Sequence, residues 1–376
     1  MNKPSPTLLF ALLDHAPTAV GNYTHTLKDI RRTGITHDIF VGADRINDAG
    51  DPFGITAFEK IRAPDLASVL PITFEQATDI TAMKLAALME KSDLPIAVHW
   101  SGGIDSTAVL AGMMKNFNPA LRNRVVVVMN NASYWDNPHF FEKIIKPNFR
   151  YTSDQTYNWD NAIIINGDPG DKLWIANKLV QMEQEHKNTF DRSLSKPDML
   201  IEWMSNQSQH SHDSNKDYAH WLLEHVQHSA KKAQVVLENY SDFYWWLQFA
   251  FVFQGAALTS FRHVYNGSST HWENYNKNFF IWWTTDEYQK WSVYAQQTQE
   301  KFKGSVTSYK MTAKNYIFDV DKNDWYKTYK TKSDSVKWSR NLMHASTLIY
   351  SDGTISHAPS SLSELNLKHS SNLKKF

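Results

Sequence analysis

The chain has 376 residues, 42% of them hydrophobic, with 39 basic and 39 acidic side chains and no cysteine. That length and apolar content can supply a large core or two domains, and they exclude a wholly disordered chain. The charge balance leaves no global field to recruit nucleic acid or an anionic membrane, only the scope for a local basic patch, and the missing thiols exclude disulfides, cysteine-ligated zinc and thiolate catalysis.

Residues 1–70 carry short apolar runs at 8–13 and 39–41, broken by turn formers at 48–52 and Gly54, which predicts a small β-containing N-terminal region. The run at 7–13 has Lys3 ahead of it and Asp14 and His15 behind it, and reads as a strand rather than a signal peptide. No stretch reaches the roughly 18 apolar residues of a membrane span, so a cytoplasmic location with no membrane partner is expected. A helix is predicted from Thr73 to residues 92–93, with Phe74, Ala77, Ile80, Met83, Leu85, Leu88 and Met89 mostly on one side. After it come a strand at 96–100, a glycine turn, a helix at 106–115, a strand at 125–129, a helix at 139–145 and a strand at 162–165. This alternation predicts an α/β fold with a parallel, doubly wound sheet and ligands at the carboxyl ends of its strands.

Beyond Asp171 the pattern is largely helical, at 173–185, 217–239, 240–252 and 285–302. A polar break at 205–215 holds His210, His212 and Asp213, with His220 just beyond, but without metal-ligand spacing it reads as a solvated loop. An Asp352-Gly353 turn predicts a hairpin at 350–355, and residues 360–376 read as a weakly docked tail. The expected organisation is an N-terminal region at 1–70, an α/β domain with a helical C-terminal part at 71–345, and a hairpin with tail at 346–376.

The most informative residues are Ser101-Gly102-Gly103-Ile104-Asp105-Ser106, where the strand at 96–100 turns into a helix. Glycines permit backbone angles and close approaches that a Cβ forbids, so loop amides and the helix N-terminus converge on one point and attract an anion. The Ser101 and Ser106 hydroxyls can add donors. Asp105 makes sense beside phosphates if it holds Mg2+, which takes one or two carboxylates together with phosphate oxygens. The Walker pattern is absent, which argues against a γ-phosphate kinase or motor ATPase.

This hexapeptide resembles the pyrophosphate loop (PP-loop) of the N-type ATP pyrophosphatases, which include asparagine, GMP, NAD and argininosuccinate synthetases and several tRNA-modifying enzymes. The resemblance implies a HUP-like sheet, with Ser101, Gly102, Gly103, Ile104, Asp105 and Ser106 at the phosphates of ATP and cleavage between the α and β phosphates.

A second strand ends in Asn166-Gly167-Asp168-Pro169-Gly170-Asp171-Lys172. Its two carboxylates could supply a magnesium ligand and a base, or form an ordinary Asp-Pro-Gly turn. The stretch is similar to the Gly-Glu-Gly-x-Asp-Glu element of asparagine synthetases. That similarity implies metal binding by Asp171 and catalysis by Asp168, a shorter acid than the family's glutamate, with Asn166 and Gly167 close to the nucleotide. Pro169 and Lys172 depart from the family pattern, which has a glycine and an acid at those positions.

The basic cluster at 326–335 is similar to one whose last lysine contacts phosphate in asparagine synthetases, which implies a catalytic Lys332, or Lys330 in second place; a solvated basic surface is the alternative. Val128 and Met129 read as adenine neighbours or as core.

Taken together, the resemblance implies an AMP-forming amide ligase of the asparagine synthetase type, dependent on ATP and Mg2+. A small-molecule carboxylate would be adenylated, and ammonia or an amine would displace AMP. With Asn2 after Met1 and no cysteine, any glutaminase would be a separate protein. A nucleobase- or tRNA-modifying pyrophosphatase and a catalytically inactive nucleotide-binding protein are the alternatives.

Overall fold

The computed structural model describes residues 44–46, 63–66, 70–154, 157–174, 177–206, 212–253, 256, 279–298, 308–331, 348–349 and 355–356. The expected strands at 8–13 and 39–41, the tail and Lys332 lie outside these residues. The chain forms two compact units: Met1–Leu70, Pro169–Glu273 and Ser292–Glu300 make one, and Pro71–Asp168, Asn274–Trp291 and Lys301–Phe376 make the other.

The second unit carries a five-stranded parallel sheet. Its strands are β1 (Ile96–His99), β2 (Val125–Met129), β3 (Arg150–Ser153), β4 (Ile163–Asn166) and β5 (Phe279–Ile281), in the order β3-β2-β1-β4-β5. Ile96 stands opposite both Val125 and Ile163, so β1 is central and the chain reverses its direction of travel across the sheet between β1 and β4. Every residue of β2 and β4 is buried, because strands covered on both faces need continuous rather than alternating apolar character. Tyr157 and Trp159 pack over Ala97, Val126, Val128 and Ala162. The result is an α/β fold of Rossmann/HUP-like topology.

Two strands escape the sequence reading. β3 is Arg-Tyr-Thr-Ser, with its first residue exposed, and β5 is only three residues long. Both lie at sheet edges; β3 lacks a continuous apolar run, and β5 has only three residues to show one.

Helix α1 spans Phe74–Glu90 and starts where the sequence predicts, because Thr73 and Gln76 form a reciprocal capping box. Its buried face differs from the expected one: Met83 and Leu88 are exposed, whereas Thr78 and Thr81 are fully buried. Hydrogen bonds make that burial tolerable: Thr78 Oγ1 donates to the Phe74 carbonyl at 2.7 Å, and the hydroxyls of Thr81 and Thr285 lie 2.9 Å apart. Helix α2 (Ile104–Asn116) follows β1. Phe74 sits among the rings of Trp283, Tyr288, Trp291 and Tyr316, centroids 5.0–6.2 Å away, which accounts for part of the heavy aromatic content as packing.

Helix α3 (Asn131–Asp136) leaves β2. The helix expected at 139–145 is a short α-turn, Pro138–Phe140, running into a π-helical turn, Phe141–Ile145. Later in the same unit, α4 (Met311–Asp321) packs on α2, and α5 (Asp324–Tyr329) follows; neither was foreseen. Leu348–Ile349 pairs antiparallel with Ile355–Ser356, as the Asp-Gly hairpin predicts.

The first unit is mostly helical where described. Asp198–Asn206 packs on His212–Lys232, so the polar break is narrower than expected, with helix on both of its flanks. Asn239 caps Tyr240–Trp246 through a box with Asp242. Among the described residues no helix is long and apolar enough to cross a membrane.

Candidate functional site

The carboxyl ends of β1 and β4 meet where the strand order reverses, the position at which open α/β sheets bind ligands. Gly102 adopts φ +76°, and a Cβ there would stand 2.3 Å from the Ser133 carbonyl oxygen and 2.7 Å from Asp136 Cβ. Only glycine satisfies both the left-handed backbone and the contact with α3. Gly103 is the N-cap of α2, and no side chain caps it. The turn is closed by its serines: the Ser101 amide donates to Ser106 Oγ at 3.1 Å, the two hydroxyls lie 3.0 Å apart, and the Gly103 amide donates to Ser101 Oγ at 3.3 Å. Ser101 is exposed, while Ser106 and Ile104 are buried.

From β4, Gly167 presses against the same turn. Its added Cβ would lie 2.8 Å from both the amide nitrogen and Cα of Ser106. Trp283 Nε1 donates to the Gly167 carbonyl at 2.8 Å, and buried Asn166 accepts the Asp168 amide at 3.1 Å through Oδ1, leaving Asp168 exposed at the strand end. Gly167→Ala is therefore expected to destabilise the protein by about 1–3 kcal/mol through overpacking, measured by urea denaturation. A loss under about 0.5 kcal/mol would mean that the two strand ends separate readily.

Three further residues surround the turn; sequence reading missed Lys310 and Asp136, and took Tyr326 only as the first residue of the basic cluster. Lys310 Nζ lies 2.6 Å from both carboxylate oxygens of Asp105. Asp136 pairs with Lys330, both side chains being almost fully buried. Tyr326 donates to the Gly102 carbonyl at 3.2 Å. Burial, reinforced by Asp136, pushes its phenol well above the usual range, so it stays protonated as a donor. Nothing local reveals these contacts, since the partners lie 194–224 residues away along the chain.

The remaining predicted residues fall in different settings. Lys330 is sealed against Asp136 rather than open to solvent. Val128 and Met129 are fully buried, and their carbonyls accept the amides of Trp100 and Asp154 at 2.9 and 3.0 Å. Asp171 belongs to the other unit, in the 3-10 turn Gly170–Leu173, where Lys172 donates to it at 3.1 Å. That unit also holds a cavity of about 660 Å³ lined by Glu238, Asp242, Trp245 and Gln296, and none of the sequence-predicted site residues borders it. Among the described residues no group of three histidine or acidic side chains is placed to hold a metal.

Fold and turn together define an α/β protein of Rossmann/HUP-like topology with a closely packed glycine turn at its topological switch point. No protein-family model matches the chain, and neither a curated protein nor a solved structure matches it.

Proposed function

We propose that the protein is an ATP-dependent, AMP-forming amide ligase of the N-type ATP pyrophosphatase kind. The observation that carries this reading is the Ser101–Ser106 turn at the β1/β4 switch point, with Gly102 at φ +76° and a lysine ammonium already seated on Asp105. A polyphosphate suits the turn, because Ser101 is exposed there and the N-terminus of α2 has no side-chain cap. Magnesium at Asp105 would have to displace the Lys310 ammonium that now lies on both oxygens of that carboxylate. Asp105 would hold it, and when bound it neutralises phosphate charge.

In this reading Ser101 to Ser106 orient the β and γ phosphates so that the α-phosphorus faces a substrate carboxylate. A carboxylate oxygen attacks that phosphorus, the bond to the bridging oxygen breaks, and pyrophosphate leaves with the electron pair. Ammonia or an amine then attacks the acyl carbonyl and AMP departs. Asp168, exposed at the end of β4, accepts the amine proton.

Incubation with magnesium, α-labelled ATP and a panel of carboxylic acids with ammonia tests the proposal. Acid-dependent AMP is expected, and Asp105→Asn should reduce it by about 10²-fold or more. Asp168→Asn should slow amide formation by about 10²–10⁴-fold while leaving adenylation intact. Formation of ADP instead would overturn the α-phosphate assignment. A catalytically inactive nucleotide-binding protein is the second reading, favoured by the Lys172–Asp171 pair where the family pattern has two acids; ATP binding without turnover across the panel would select it. A nucleobase or tRNA acceptor draws no support from the balanced charge.

A further inference from the structure

The cavity of about 660 Å³ lies wholly within the first, mostly helical unit, has the size of a small-molecule site, and takes no part in the reading of the glycine turn. Its walls combine apolar surface with polar groups held in fixed orientations. Trp245 and Val293 are each 1% exposed, and the indole N–H of Trp245 is directed to Ser292 Oγ at 3.0 Å, so both side chains contribute apolar wall. Asp242 is fixed by the capping box that starts the helix Tyr240–Trp246: its Oδ2 accepts the amides of Glu238 and Asn239 at 2.8 and 3.1 Å. Its Oδ1 accepts from Nε2 of Gln296.

That last contact sets the orientation of the Gln296 amide. A carboxylate accepts and an amide nitrogen donates, so Nε2 faces Asp242 and Oε1 is left to find a donor elsewhere. Gln296 is 9% exposed, and its Oε1 is buried with no hydrogen-bond partner among the described residues. Such an acceptor is costly to leave unmatched, and nearly all buried polar atoms are satisfied by some group. Among the described residues that line the cavity, carboxylates outnumber cations, with Asp65, Glu238 and Asp242 against Lys232. The missing group is therefore a hydrogen-bond donor, and the surrounding charge favours a positive one.

We propose that this cavity binds a small organic amine, its ammonium donating to Gln296 Oε1 and its hydrocarbon body lying against Trp245 and Val293. Asp242 acts as the positioning residue, since it holds the amide with its oxygen toward the ligand.

Isothermal titration calorimetry of the full chain with phenethylamine, phenethyl alcohol and hydrocinnamate tests the proposal, with hexylamine as an aliphatic counterpart. The three aromatic probes share a body and differ at the polar end: a cationic donor, a neutral donor and an anionic acceptor. An amine should bind most tightly and hydrocinnamate at least about 10-fold more weakly, because it brings a second acceptor to an unmatched one. Gln296→Leu should weaken the amine by about 10-fold and leave hydrocinnamate no weaker. A purely structural Gln296 would move all the affinities together or none, and either result overturns the proposal. Equal binding of amine and hydrocinnamate, or no binding of either amine in the low millimolar range, overturns it as well.

Circular dichroism checks the fold of each variant. Should Gln296→Leu fail to fold, Val235→Trp takes its place, filling the cavity from a half-buried wall position. It should abolish amine binding; undiminished affinity would put the amine elsewhere and overturn the proposal.

Discussion

Lys330→Met is expected to destabilise the protein by about 3–5 kcal/mol, the usual consequence of removing one partner from a buried ion pair. Lys330 and Asp136 are 1% and 2% exposed in their side chains, so the Asp136 carboxylate left behind cannot recover water as compensation. Asp136→Asn should cost a similar amount for the reciprocal reason. The double replacement, Lys330→Met with Asp136→Asn, should cost much less than the sum, since no isolated charge remains. Urea denaturation of the four proteins measures the cycle. A single-variant loss below about 1 kcal/mol would place the pair in the energetic class of surface bridges and remove its role as an anchor. The same cycle tests the catalytic role that sequence resemblance implies for Lys330: a double variant that is stable yet forms no AMP would mean that the ammonium reaches substrate.

Gly102→Ala should have the second large effect, a loss of about 2–5 kcal/mol together with loss of pyrophosphate binding. Two physical costs add: about 1–2 kcal/mol for a left-handed backbone with a Cβ, and about 1–3 kcal/mol for overpacking against the Ser133 carbonyl and Asp136 Cβ. Gly102→Asn separates them. Asparagine tolerates left-handed φ, but its Cβ meets the same atoms, so it should remain nearly as damaging as alanine. A well-folded Gly102→Asn protein that still binds pyrophosphate would show that φ alone, and not the approach of α3, demands the glycine. Gly103, at φ −71°, makes no such conformational demand.

These two predictions concern parts of one site that were unequally legible in the chain. The turn itself was readable: an apolar strand, two glycines and a helix occupy consecutive residues, and each is governed by rules that act over a few positions. The central strands β2 and β4 were readable for the same reason, since burial on both faces requires an unbroken run of valines or isoleucines. The start of α1 is fixed by a capping box that spans only Thr73 to Gln76. Even here the side chains on its buried face were misjudged, because Thr78 and Thr81 are buried by hydrogen bonds to Phe74 and Thr285, whereas hydropathy ranks Met83 and Leu88 above them.

The α/β class, the central strands and the glycine turn follow from neighbouring residues acting on one another's backbone, and so can be read along the chain. Which charges reach that turn depends on contacts between distant segments. Lys310 finds Asp105 across 205 positions and Lys330 finds Asp136 across 194, and it is the folding of distant segments together that makes those pairs. An isolated lysine in a helical region has the same local appearance whether it faces water, a buried carboxylate or a phosphate. Only the closed fold removes water from around it, and that removal turns an ordinary charge into one that must be paired.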